Sequence, residues 1–183
     1  MPAAARTSVA TTDKWGMHPS IANSMENDEA SGGAAVRIFA DSGVLIEGLF
    51  APWSESRAPL ILTRGPKFRL LLAAVVRAEV ERNLRQFLSA SRHGASVASA
   101  AYAKLLRNLR PEVVPPPAIE DVAAHRHLIR HAADVPVLLS AMVSAPDFLV
   151  TMNTRHFTSE VAKRTGLRMV TPRQFLTHLR VSR

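Results

Sequence analysis

The 183-residue chain contains no cysteine. That excludes disulfide stapling, zinc–thiolate centres and cysteine nucleophiles together. Any metal site is left to oxygen ligands or histidine, and a cluster of carboxylates would favour magnesium or manganese. Aromatic residues are sparse as well: one Tyr, two Trp and seven Phe give little material for a platform on which single-stranded bases could stack. Recognition of a nucleic acid would then fall to groove shape and electrostatics. Neither a glycine-rich phosphate loop nor a nucleophile-elbow serine occurs, which argues against nucleotide-cofactor and esterase chemistry. No apolar run approaches the ~18 residues of a membrane span, and the Ala-rich start, with Arg6 and Lys14, lacks a secretory core. A cytoplasmic protein with no membrane partner is the expectation.

What is present is an ordinary globular composition, 47% hydrophobic and 21% charged, with room for one substantial core. The formal charge of +8 is uneven. Residues 1–34 hold two basic and four acidic side chains, which leaves 21 against 11, a net +10, on residues 35–183. Such an excess suits a polyanion or an acidic protein partner equally. Residues 1–34 are rich in Ala, Ser, Thr, Asn and Gly without a lasting period and read as a flexible tail; residues 35–183 read as the folded domain.

Val36-Arg37-Ile38-Phe39-Ala40 is β-prone and is stopped by Asp41-Ser42-Gly43, after which Val44, Leu45, Leu49 and Phe50 suggest a helix. Pro52 and the Ser54 to Pro59 stretch interrupt that helix, helical order is expected to resume around Ile61, and the role of residues 52–66 is left unassigned. Phe68 to Leu72 reads as a second strand leading into a helix from about Val75 to Ser89, with Val76, Val80, Leu84 and Phe87 as its buried stripe. Glu79 borders that stripe. A surface helix over 92–109, with Val97, Ala101, Leu105 and Leu109 on one side, is ended by Pro111 and Pro115-Pro116-Pro117. Ile119 to Arg130 reads as a short helix that sets Arg126 and Arg130 on one face. Asp134 then precedes a helix from Pro136 to Ser144. Phe148 to Thr151 is a compact strand with Asn153 just beyond it. A helix over 159–164, a strand over 167–170 and a terminal helix opened by Pro172 complete the pattern. Strands alternating with helices predict one parallel sheet covered on both faces, with reactive groups beyond the carboxyl ends of its strands, where Asp41 and Asn153 fall.

The segments Ile38-Phe39-Ala40-Asp41-Ser42-Gly43, Ala78-Glu79-Val80-Glu81-Arg82-Asn83-Leu84, Asp134-Val135-Pro136-Val137-Leu138, Phe148-Leu149-Val150-Thr151-Met152-Asn153 and Val170-Thr171-Pro172-Arg173-Gln174-Phe175 together resemble the PIN domain family in order and spacing. The family includes nucleases and the toxins of bacterial toxin–antitoxin pairs. The resemblance implies a three-layer α/β/α domain around a mainly parallel sheet. It also implies a Mg²⁺- or Mn²⁺-dependent endoribonuclease, an RNA substrate, an antitoxin protein that restrains it, and a homodimer. It groups Asp41, Glu79 and Asp134 as metal ligands. It puts Ser42 where the family has Thr beside the first Asp, and Asn153 where the family often has a further Asp.

Each of these residues also has a structural reading. Asp41 could cap its turn, Asp134 could cap its helix, Glu79 competes with Glu81, and Asn153 either joins the metal site or forms a turn. An amide cannot supply a carboxylate's charge, so a noncatalytic PIN-like module that binds RNA or protein is the alternative. Arg126, Arg130, Arg155 and His156 are the candidates for phosphate contacts. His125, His127 and His131 lie close in sequence, but His125 and His127 face different ways on a helix and no His-Glu-x-x-His pattern is present, so a histidine metal centre is not expected.

Overall fold

The computed structural model describes residues 34–87 and 92–181. Apart from Ala34, the expected tail lies outside those residues, as do the predicted end of a helix at Ser89 and the side chain of Phe87.

Five short strands form one parallel sheet: β1 (Val36–Ala40), β2 (Phe68–Ala73), β3 (Glu112–Val114), β4 (Phe148–Val150) and β5 (Met169–Val170). Their order is β3-β2-β1-β4-β5. β1 registers with β2 from Val36 opposite Phe68 to Phe39 opposite Leu71, and with β4 from Ile38 opposite Phe148 to Ala40 opposite Val150. Ile38, Phe39, Leu71, Leu149 and Val150 are each fully buried. Apolar side chains on both faces of a strand need cover on both sides, and the flanking helices give the expected three-layer α/β/α architecture. The chain runs from β1 outward to β2 and β3, then returns to lay β4 on the other side of β1. The crevice beyond the carboxyl ends of β1 and β4 is therefore the topological switch point of the sheet.

The helices among the described residues are α1 (Ser42–Phe50), α2 (Arg57–Leu62), α3 (Ala74–Phe87), α4 (Arg92–Leu109), α5 (Ile119–Ala124), α6 (Val135–Ser144), α7 (Ser159–Thr165) and α8 (Pro172–Val181). The stripe of α3 is buried as expected at Val76, Val80 and Leu84. Of the stripe expected on α4, Leu109 is buried and Leu105 packs partly buried against the core, whereas Val97 is 54% exposed and Ala98 and Tyr102 are buried instead. The Tyr102 hydroxyl is buried without a partner, and burial pushes its pKa up to about 12.

Two segments depart from expectation. β3, bracketed by Pro111 and Pro115, pairs only with β2; an edge strand tolerates flanking prolines because it pairs on one side alone. The predicted helix over 119–130 ends at Ala124. A 3-10 turn follows at Arg126–Leu128, and Ile129 is extended (φ −136°, ψ 139°) and 2% exposed. Burying Ile129 pulls the chain off the helical path, so Arg126 and Arg130 do not share a helix face.

The unassigned stretch 52–66 contains α2, which packs on α1. The contact is tight at Gly48, where an added Cβ would lie 2.6 Å from Leu60 Cδ1 and 3.0 Å from the Ser56 carbonyl oxygen. The Arg57 guanidinium donates to the Gly48 carbonyl at 2.8 Å, and the Ser56 hydroxyl donates to Glu47. Gly48→Ala should therefore overpack this junction and cost about 1–3 kcal/mol, lowering Tm by about 2–4 °C per kcal/mol. At Gly43 an added Cβ meets only Met152 Cβ, at 4.0 Å. Gly43→Ala should leave Tm unchanged or slightly raised in the same melts, because helical Ala is favoured over Gly.

Candidate functional site

β1 delivers Asp41 to the switch point, where its extended backbone (φ −73°, ψ 162°) ends the strand and caps α1. The carboxylate is only 7% exposed. Oδ1 accepts from the Ser42 N–H at 2.7 Å, and Oδ2 accepts from the Thr151 hydroxyl at 2.7 Å. Burial nevertheless holds its pKa above the ordinary value, against the opposing pull of those donors, and the charge of Asp134 pushes the same way. Turn capping and site geometry thus coincide in Asp41: each oxygen spends one lone pair on a neighbour and keeps others.

Glu79 comes from α3 and is partly buried. Desolvation raises its pKa, a hydrogen bond from Ser42 lowers it, Asp41 raises it, Arg82 lowers it and Asp134 adds a smaller upward push. Glu81, the competitor, is tied to Arg77 at 2.9 Å on the helix surface. Of the two glutamates, Glu79 is the one coupled to Asp41. The Ser42 hydroxyl contacts both the Asp41 and Glu79 carboxylates and, with one proton, can donate to one at a time.

Asp134 sits at the N-cap of α6, with Pro136 in the first turn, but its side chain makes no capping hydrogen bond. It turns to the histidines instead: Oδ2 lies 2.6 Å from His156 Nδ1 and 3.3 Å from His131 Nδ1. The two imidazoles stack with centroids 4.4 Å apart at 17°. Among the described residues, His131, Asp134 and His156 are the group whose ligand atoms all lie within 4.8 Å of one another, a cluster that could coordinate a divalent metal. The expectation of no histidine metal centre is corrected to this extent. His125 and His127 stack on each other, 6.3 Å apart, with their Nδ1 atoms on backbone carbonyl oxygens, and are not part of it.

Asn153 follows β4. Its N–H donates to Thr151 Oγ1 at 3.0 Å, and its Oδ1 accepts from the His156 N–H at 3.3 Å, so it is a turn former. It also reaches the site, because its Nδ2 lies 3.0 Å from His156 Nδ1. That nitrogen faces an amide donor and a carboxylate acceptor and can serve only one: protonated, it donates to Asp134; unprotonated, it accepts from Asn153. Arg126, Arg130 and Arg155 are all exposed.

Two participants were not among the expected site residues. Thr151, 1% exposed, links Asp41 to the backbone of Asn153, and a lone hydroxyl ending an apolar strand was the available signal. His131 had no signal beyond its proximity to Asp134. A basic concavity lies elsewhere: Arg64, Arg69, Arg107 and Arg110 line a cavity of about 740 Å³ at the start of β2 and the end of α4, at the opposite end of the sheet from Asp41.

No family model matches the sequence, and no curated protein sequence matches it. Solved structures do. The fold is similar to that of PAE2754 from Pyrobaculum aerophilum, with a TM-score of 0.54 and 18% identity over 82% of this chain and 99% of that one. It is similar also to VapBC2 from Rickettsia felis, in a crystal structure bound to a DNA fragment from their promoter, with a TM-score of 0.54 and 15% identity over 74% of this chain and 98% of that one. At these identities the likeness shows a shared fold. No helix among the described residues is long and apolar enough to cross a membrane.

The electrostatics at Glu79 carry a pH prediction. An acid whose native pKa is raised binds more protons folded than unfolded, so stability falls as pH climbs from its ordinary value, 4.5, through the raised one. Glu79→Gln removes that penalty while keeping an acceptor for Ser42. In chelator, its Tm should match wild type near pH 4 and exceed it by a margin that grows as pH rises through the raised pKa. A margin that stays constant or shrinks across that range would count against a strained Glu79.

Proposed function

We propose that this protein is a divalent-metal-dependent endoribonuclease, resembling the toxins of toxin–antitoxin pairs. The observation that carries the reading is the electrostatic coupling of Asp41, Glu79 and Asp134, from three separate elements, around the switch point of a PIN-like sheet. Burial, with a smaller contribution from neighbouring carboxylates, makes Asp41 and Glu79 hold protons more tightly than usual, and a bound cation would relieve that. An all-oxygen set of this kind fits Mg²⁺ or Mn²⁺. Magnesium takes one or two carboxylates directly and keeps waters, so the three acids need not converge to mutual ligand distance.

A magnesium or manganese ion held there would lower the pKa of a coordinated water and stabilise charge on the phosphoryl oxygens. The chain's own residues do the rest. Thr151 and the Ser42 N–H fix the Asp41 carboxylate in one orientation, which removes reorganisation at the moment of reaction. The Ser42 hydroxyl keeps its proton and can turn to donate to whichever of Asp41 and Glu79 is charged. Asn153 accepts from the His156 backbone N–H through Oδ1 and meets the ring at Nδ1 through Nδ2, and His156 with Arg126, Arg130 and Arg155 meets the RNA phosphates. A cognate antitoxin protein is the proposed restraint, as the structural likeness to VapBC2 supports, and a homodimer and cytoplasmic action follow from the same family reading.

A second reading is supported by Asn153, whose amide is engaged with His156, and by Asp134, whose Oδ2 is taken up by histidine nitrogens. On that reading the domain binds RNA or protein without cutting. Mixed structured and single-stranded RNA incubated with magnesium, manganese or chelator separates the two. The nuclease reading predicts metal-dependent cleavage that falls to background in the D41N/D134N double variant and drops about 10–100-fold in Thr151→Val, the loss typical of an outer-shell partner. Absent cleavage with every metal, or cleavage indifferent to D41N/D134N, would favour the binding module. Asn153→Asp should raise activity if the missing carboxylate limits turnover and lower it if the site is tuned to the amide.

A further inference from the structure

We infer that His131, Asp134 and His156 form a separate site for a borderline transition ion of the Zn²⁺ class, and that filling it withdraws Asp134 from the acid cluster. The site is defined by convergence. Nδ1 of His156 and Nδ1 of His131 meet one carboxylate oxygen, Asp134 Oδ2, at 2.6 and 3.3 Å. The rings stack at 4.4 Å and 17°, so both nitrogens present the same edge to that oxygen. All three ligand atoms lie within 4.8 Å of one another, the scale on which a single ion spans its ligands. Two imidazole nitrogens and one carboxylate oxygen make a donor set that Zn²⁺, Co²⁺ and Ni²⁺ accept and that Mg²⁺, which prefers oxygen, does not. His131 is 55% exposed at its side chain, which gives an ion and its waters access from solvent.

The pieces that would hold such an ion are braced. Asp134 is fixed at the head of α6 without a capping duty that would compete for its oxygens. His156 is held through its backbone by Asn153 Oδ1. The Asn153 Nδ2 proton that shares the His156 Nδ1 lone pair at 3.0 Å is the contact an incoming ion displaces. Binding at this site depends only on these residues, whereas the competition for Asp134 rests on the proposed role of that carboxylate in the acid site.

The test uses the full chain, stripped with chelator. Co²⁺ is followed by its visible absorption, Zn²⁺ by calorimetric titration, and activity by RNA cleavage in magnesium. Wild type should bind one Zn²⁺-class ion with histidine-type Co²⁺ bands. His131→Ala, at an exposed position, should weaken that binding at least about 10-fold while keeping its fold in chelator. Asp41→Asn should retain the Co²⁺ spectrum. A His125→Ala/His127→Ala variant should bind as wild type does.

The site is overturned if wild type takes up no Co²⁺ or Zn²⁺ at millimolar concentration. It is overturned also if His131→Ala binds as tightly as wild type, or if Asp41→Asn abolishes binding as fully as His131→Ala, which would move the ion to the acids. If the site stands, Zn²⁺ should inhibit magnesium-dependent cleavage in wild type and much less in His131→Ala. Equal inhibition of both would overturn the competition while leaving the site in place. Absent cleavage in any condition would count against the nuclease reading and, with it, the competition, while the Co²⁺ and Zn²⁺ titrations still decide the site.

Discussion

The burial of one carboxylate organises this domain. Asp41 ends the central strand of a sheet whose strands are apolar on both faces, and it is 7% exposed with a hydrogen-bond donor on each oxygen. Burying a charge is tolerable only when its oxygens are satisfied, so Ser42 at the start of α1 and Thr151 at the end of β4 are tied to Asp41 by that requirement. Those two bonds join the elements on either side of the switch point. Two donors reduce the cost of burial without removing it, because the pKa of Asp41 still lies above its ordinary value. What remains is a local excess of negative potential that Glu79 and Asp134 deepen.

That excess explains how a strongly basic chain can hold a cation-seeking centre. The excess of basic over acidic residues is carried by residues 35–183, and a concavity lined by Arg64, Arg69, Arg107 and Arg110 lies at the opposite end of the sheet from Asp41. Around the acids themselves Arg82 lowers the pKa of Glu79, and two imidazoles contact Asp134. Histidine is well suited to that place, since it offers a proton or a lone pair depending on what else occupies the site.

How far the sequence reveals this follows from physics acting over different ranges. β1, β2 and β4 were legible because apolar runs ended by turn residues are local signals, and they put Asp41 and Asn153 at the strand ends. β3 was hidden because prolines at 111 and 115 break local patterns, while an edge strand needs only one partner. Arg126 and Arg130 were misplaced because Ile129 is buried by contacts distant in sequence, which override a helical spacing. Val97 was grouped with Leu105 and Leu109 by helical spacing, but the buried side of the helix runs through Ala98 and Tyr102, one turn apart. The His131–Asp134–His156 group was invisible because its members span 25 positions and the link from Asp134 to His156 depends on where β4 ends.

The central claim is that the acids at the switch point are held strained in wait for a cation. It is tested most directly by carboxyl-carbon NMR titration of Asp41 and Glu79 in chelator and again in magnesium. The account predicts that both groups titrate above their ordinary values, 3.8 and 4.5, in chelator and shift downward when magnesium is added. Ordinary pKa values in chelator, unmoved by magnesium, would contradict it.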